Sequence, residues 1–140
     1  MARVLAVDLG AQRIGIACSD ASRTLATPVT TLQRSGDPGA DRAAILALAR
    51  EHEADTIVVG VPIALSGATG AAATAANEEI AALQVACGET IRVVGIDERL
   101  TTVSAQRQLA ERGVRAKDRR KQVDRDAAAI ILQTYLDGGA

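Results

Sequence analysis

Arg3-Val4-Leu5-Ala6-Val7-Asp8-Leu9, then Gly10-Ala11-Gln12-Arg13, then Ile14-Gly15-Ile16-Ala17-Cys18-Ser19, is the stretch that decides how this chain folds. After Arg3 its first strand is apolar on both faces apart from Asp8, the pattern of a central strand covered on two sides. Four residues of connection leave room for little but a hairpin, so Ile14 to Ser19 reads as an antiparallel neighbour. Leu25 to Leu32 offers a third strand. Pro28 within it cannot donate to a ladder, which puts that strand at an edge.

Beyond this meander the period changes. Asp37-Pro38 supplies a helix cap and a first-turn proline, and Ile45, Leu46, Leu48 and Ala49 recur at helical spacing up to Arg50. Thr56 to Val61 is short and β-branched, a buried parallel strand. After the Pro62–Gly70 loop, an Ala-rich stretch to about Cys87 reads as a second helix, and Thr90 to Ile96 as a fifth strand. Thr101 or Thr102 can cap a helix ending at Gly113, and a last helix runs from Asp124 to about Leu136. The resulting order, β-β-β-α-β-α-β-α-α, predicts an α/β fold: a mixed five-stranded sheet with helices on both faces. A minimal flavodoxin-like arrangement fits the alternating second half but not the opening hairpins. Residues 1–140 read as a single domain, since neither a linker nor an internal repeat breaks them.

Composition narrows the function classes. The chain has 17 acidic and 16 Lys/Arg residues, and Tyr135 is its one aromatic. Base-stacking platforms need aromatic faces, so an ordinary RNP-type RNA-binding module is excluded. Cys18 and Cys87 stand far apart, without Cys or His at ligand spacing, and read as two buried thiols in a reducing compartment. His52, between Glu51 and Glu53 on a helix, faces solvent, and with no GxSxG motif a serine-triad hydrolase has no basis. No apolar run nears the roughly 18 residues of a membrane span, and the N-terminus lacks a secretory pattern. The chain therefore reads as soluble and cytoplasmic, with no membrane partner.

Charge is unevenly spread. Between Arg99 and Arg125 nine Lys/Arg face three acids, most tightly at Arg115, Lys117, Arg119, Arg120 and Lys121. Such a run is either a solvated loop or a surface for a phosphate backbone.

Three acids stand out by position. Asp8 lies within an apolar strand, where an unpaired carboxylate costs several kcal/mol. Glu98 follows the strand IRVVGI in the polar string Asp97-Glu98-Arg99, and Asp124 opens the last helix. Each also has a plainer role: Asp8 can pair with Arg13 or Arg3, Glu98 can be a solvated strand end, and Asp124 can cap its helix. If Asp8 is central and Glu98 ends a nearby parallel strand, both point at one crevice. An all-oxygen set of this kind suits Mg²⁺ or Mn²⁺, and two such ions about 4 Å apart serve phosphodiester hydrolysis.

Val7-Asp8-Leu9-Gly10, Arg13-Ile14-Gly15, Ser19-Asp20, Val59-Gly60-Val61-Pro62, Asp97-Glu98-Arg99-Leu100-Thr101-Thr102, Lys121-Gln122-Val123-Asp124 and Ala127-Ala128 through Gln133 occur in that order. Together they closely resemble the bacterial YqgF family, also called RuvX, described as Holliday junction resolvases and as pre-16S rRNA nucleases. The chain departs from that family's usual pattern at Leu9, Gln12 and the string Ala64-Leu65-Ser66-Gly67. The resemblance implies a ribonuclease H-like fold and a metal-dependent endonuclease with Asp8, Glu98 and Asp124 as catalytic and metal-binding residues. Its implied activity is maturation of the 5' end of 16S rRNA, with branched-DNA cleavage as the alternative. Nucleic-acid contacts are expected at Arg13, Arg99 and the five residues of the basic run. A junction resolvase needs two active sites and hence a homodimer, whereas an rRNA-trimming enzyme works as a monomer. Two other classes compete: a non-catalytic nucleic-acid-binding protein on the same fold, and an actin-like ATPase, for which 140 residues leave no second half.

Overall fold

The computed structural model describes residues 2–63, 70–101 and 127–138. Within them the hairpin reading holds: β1 (Arg3–Leu9) pairs antiparallel with β2 (Arg13–Ser19), Asp8 standing opposite Gly15. Gly10 makes the tight turn feasible. Its N–H donates to the Arg13 carbonyl, and a Cβ there would lie 2.6 Å from that oxygen. β3 (Ala26–Gln33) takes the edge next to β2, with its register shift beside Pro28. A residue without an N–H cannot continue the ladder, and the irregularity falls where the donor is missing.

Two crossovers complete the sheet. α1 (Pro38–Glu51) starts as expected: the Asp37 carboxylate accepts from Gly39 N at 3.0 Å and Ala40 N at 3.4 Å, with Pro38 at the first position. His52 closes this helix as its C-terminal cap residue, half-exposed. β4 (Ala54–Val61) returns parallel to β1, and α2 (Ala71–Cys87) leads to β5 (Arg92–Asp97), parallel to β4. The order is β3-β2-β1-β4-β5. β5 begins two residues later than its sequence pattern suggests, because Thr90 is engaged in the helix-ending turn: its hydroxyl donates to the Cys87 carbonyl. Gln84 joins helix to strand, giving hydrogen bonds to the Gly88 and Ile91 carbonyls and accepting one from Val93 N.

Helices lie on both faces. Odd-numbered β1 residues Leu5 and Val7 meet Ile45, Leu46 and Ala49 of α1 and Leu83 and Cys87 of α2 in one core. Even-numbered Val4 and Ala6 join Ala17, Val58 and Ile96 beneath the final helix, residues 127–136 (α3), which contributes Ala127, Ala128, Ile131 and Leu132. Without aromatic bulk, the layers pack on small contacts: Ala73 and Ala76 are fully buried, and Ile80 of α2 rests where a Cβ on Gly95 would be. Both cysteines are buried free thiols, and burial pushes each above its ordinary value. The helix expected from Thr101 or Thr102 to Gly113, the basic run and Asp124 lie outside the described residues, Thr101 excepted.

Candidate active site

Alternation along β1 places Asp8 on the α3 face, at the carboxyl end of the central strand. Arg3 has the opposite parity and lies at the other end of the strand, so the Arg3 pairing left open by the sequence does not arise. On β2 the residue opposite Asp8 is Gly15, and opposite that on β3 is Thr31. A cleft of about 210 Å³ opens over these positions, lined by Asp8, Gly10, Ala11, Gln12, Arg13, Gly15 and Thr31. Arg13 thus shares the cleft with Asp8, while Asp8 itself is only 5% exposed.

On the other flank stands β4. The Val7–Val59 pair sets the register, so Gly60 is the next residue along and shares the face of Asp8. Glu98 reaches this spot from beyond β5. It begins a 3-10 turn (Glu98–Leu100) and is 3% exposed. A Cβ on Gly60 would sit 3.0 Å from Glu98 Oε1 and 3.2 Å from its Cγ, so the Glu98 side chain lies over the bare backbone of β4. Adjacent strands run about 4.8 Å apart. A carboxylate seated over Gly60 and one rising from Asp8 are therefore neighbours across a single strand spacing.

The residues around Glu98 lock its turn. Asp97 Oδ1 accepts from Arg99 N at 2.9 Å and caps the turn, and both Thr101 N (3.0 Å) and Thr101 Oγ1 (2.8 Å) donate to the Glu98 carbonyl. Thr101, one of two candidate caps for a following helix, is thus buried against the turn before it. The Arg99 guanidinium, expected to face nucleic acid, closes on Asp97, with Nη2 to Oδ2 at 2.6 Å and Nε to Oδ2 at 2.8 Å. Hydrogen bonding to Arg99 holds the Asp97 carboxyl below its ordinary value. Arg99 gives this clamp part of its charge.

Among the described residues no group of three or more His, Cys, Asp or Glu side chains gathers at one point. Asp8 and Glu98 form the described part of the predicted triad, and Asp124 lies outside it. The donor chemistry fits a hard divalent cation: carboxylate oxygens on one face, with a cradle over Gly60 that any side chain would fill. The sequence reading passed over Gly15, Thr31 and Gly60 as parts of the site. A signal existed for Gly60, because glycine inside TIVVGV weakens a strand unless another group must approach its backbone.

Comparison with known proteins accords with this arrangement. The sequence profile of RuvX, described as Holliday junction resolvase, matches residues 2–138. A protein of Frankia casuarinae carrying the provisional name pre-16S rRNA nuclease is 44% identical over 135 residues, covering 95% of this chain and 65% of its own length. Its Mycobacterium tuberculosis counterpart, similarly named, is 46% identical over 136 residues, covering 96% of this chain and 78% of its own. Among solved structures, Thermus thermophilus RuvC in complex with a Holliday junction substrate superposes with a TM-score of 0.60 at 15% identity, covering 97% of this chain and 94% of that one. At that identity the likeness speaks for the fold, which is ribonuclease H-like. No described helix is long and apolar enough to cross a membrane. The match over residues 2–138 and relatives 44 and 46% identical across nearly the whole chain lead to one conclusion: the chain belongs to the RuvX family of nucleases.

Proposed function

We propose that this chain is a divalent-metal-dependent endonuclease acting on the 5' end of precursor 16S rRNA, with Asp8, Glu98 and Asp124 as its metal-binding carboxylates. The observation that carries the reading is that Asp8 and Glu98 are both buried, Glu98 lying over Gly60 of the strand that pairs with Asp8's own. Two carboxylates on one face supply the hard oxygen donors that Mg²⁺ or Mn²⁺ takes. The names of the Frankia and mycobacterial relatives support the RNA substrate.

Asp8 and Glu98 would hold Mg²⁺ or Mn²⁺ through carboxylate oxygens, and Asp124 would complete the set. Such an ion, when bound, supplies a water of lowered pKa and neutralises charge on the scissile phosphate. The protein's own contribution is positional. β1 and the Asp97–Thr101 turn fix the two carboxylates in advance, so little ordering is left for the moment of reaction. Arg13, which lines the same cleft as Asp8, would hold a phosphate oxygen entering from the β2 side. Arg115, Lys117, Arg119, Arg120 and Lys121 would grip the backbone farther along without reading bases, and Arg99 would join them only by leaving Asp97.

A second reading, cleavage of branched DNA, is favoured by the description of the family and by the fold shared with a junction-bound RuvC. One paired assay separates the two. Purified protein is given precursor rRNA 5' ends and four-way DNA junctions, with Mg²⁺, Mn²⁺ or a chelator, while its oligomeric state is measured. Metal-dependent cutting of the rRNA by a monomer is the expected result. Symmetric junction cleavage by a dimer would transfer the activity to DNA, and cleavage undiminished by chelation would remove the metal.

A further inference from the structure

Gly60 belongs to the Val59-Gly60-Val61-Pro62 string and has ordinary strand pairing, with Gly60 next to Ile96 of β5. Nothing in the backbone demands glycine here. The demand comes from above the sheet. A Cβ would meet Ile131 Cδ1 at 2.6 Å, Glu98 Oε1 at 3.0 Å and Glu98 Cγ at 3.2 Å. These contacts differ in kind. Ile131 belongs to the apolar core under α3, and its Cδ1 is the movable end of a flexible side chain. The Glu98 contacts run along the side chain, from the Cγ methylene to a carboxylate oxygen, on a residue whose backbone is held by Asp97 and Thr101. With that backbone held, added bulk at position 60 must be taken up by the Glu98 side chain, which has to give by a few tenths of an ångström along its length and so shifts its carboxylate.

We infer that Gly60 is a positioning residue for Glu98: its missing side chain is the seat in which the Glu98 carboxylate lies beside Asp8. The inference rests on the reading of Asp8 and Glu98 as metal-binding residues. It separates two roles that one glycine could fill, since room for Ile131 is a packing requirement and room for Glu98 is a requirement of the site. A displaced supporting contact of this type costs about 10–100-fold in metal affinity or activity.

Four proteins test it: the parent, Gly60→Ala, Ile131→Val and the double variant. Two quantities are read on each, the melting temperature without metal and the Mn²⁺ affinity by calorimetry. Ile131→Val removes Cδ1 and with it the shortest contact. Gly60→Ala should therefore melt lower than the parent, the double variant should recover the melting temperature of Ile131→Val, and Ile131→Val alone should bind Mn²⁺ like the parent. Both proteins carrying Gly60→Ala should bind Mn²⁺ about 10–100-fold more weakly. A double variant with parental Mn²⁺ affinity would overturn the inference and reduce Gly60 to a packing residue. Failure of the double variant to fold would overturn it too, because the contact left is with a long side chain that gives way by rotation. If the parent itself binds no Mn²⁺, the two-carboxylate reading fails and takes this inference with it.

Discussion

The two faces of the sheet are built from the same strands but carry different burdens. Under α1 and α2 the face is apolar throughout, from Leu5 and Val7 across to Ile57, Val59 and Val93. Under α3 it is apolar through Val4, Ala6 and Val58, and through Ile96 at the outer strand. At the carboxyl ends of β1 and β4 it gives way to Asp8 and Gly60, with Glu98 lying over Gly60. A shift of one residue along β1 separates the two characters, because successive side chains point to opposite faces. One face stabilises the molecule. The other gives up part of its packing to hold the buried carboxylates Asp8 and Glu98, at the end of the sheet where open α/β folds bind their ligands.

Substitutions that act on one face and spare the other put this division to the test. The largest effect is expected at Asp8→Asn, which keeps shape but removes charge. Turnover should fall about a thousandfold, near 4 kcal/mol of transition-state stabilisation, with substrate affinity little changed. Metal-free stability should hold, since Asn keeps the size of the buried side chain and much of its hydrogen-bonding capacity. If instead the variant lost a few kcal/mol of stability and cut at a near-normal rate, Asp8 would be a structural partner of Arg13 and the site would lie elsewhere.

On the opposite face, Leu83→Ala removes a fully buried side chain of α2 and should cost about 3 kcal/mol, within the usual range for such a cavity. Turnover per folded molecule should be unchanged. Urea unfolding and cleavage measured on the same preparation check this, and a fall in specific turnover would show that the faces are coupled.

Arg42→Ala is a smaller perturbation of that side. It breaks the two-pronged contact between α1 and α2, in which Arg42 Nε meets Glu79 Oε2 at 2.7 Å and Nη2 meets Oε1 at 3.1 Å. About 1 kcal/mol should be lost, and less in high salt. A loss that ignores ionic strength would assign the effect to the packing of the arginine stem.

The smallest effect concerns the exposed turn between β2 and β3. Asp20 accepts from Thr24 N at 2.8 Å and Leu25 N at 3.2 Å, and these bonds hold its carboxyl at about 2 against an ordinary 3.8. Because the folded form keeps the carboxylate ionised to lower pH, its contribution is full above about pH 4 and disappears as pH falls through about 2. Asp20→Asn should thus lower the urea midpoint slightly at pH 5 and not at all near pH 2. A difference that grew on acidification would contradict this sign.

Taken alone, the sequence determined the local periods and therefore most of the fold. An apolar run interrupted by Asp8, followed by a four-residue connection, placed β1 beside β2, Pro28 sent β3 to the edge, and Asp37-Pro38 started α1 where it starts. These features are written in near neighbours, where chain geometry leaves few choices. Asp8 was conspicuous for the same reason, a charge amid aliphatic residues. What the sequence left open depended on residues far apart in the chain. That Gly60 must be bare, that Glu98 folds back over β4, and that Asp97 and Thr101 spend their hydrogen bonds on one turn follow from the register between β1, β4 and β5. Register is set by packing of whole strands beneath α3. A glycine 38 residues before a glutamate becomes its seat only when parallel pairing brings them to the same level.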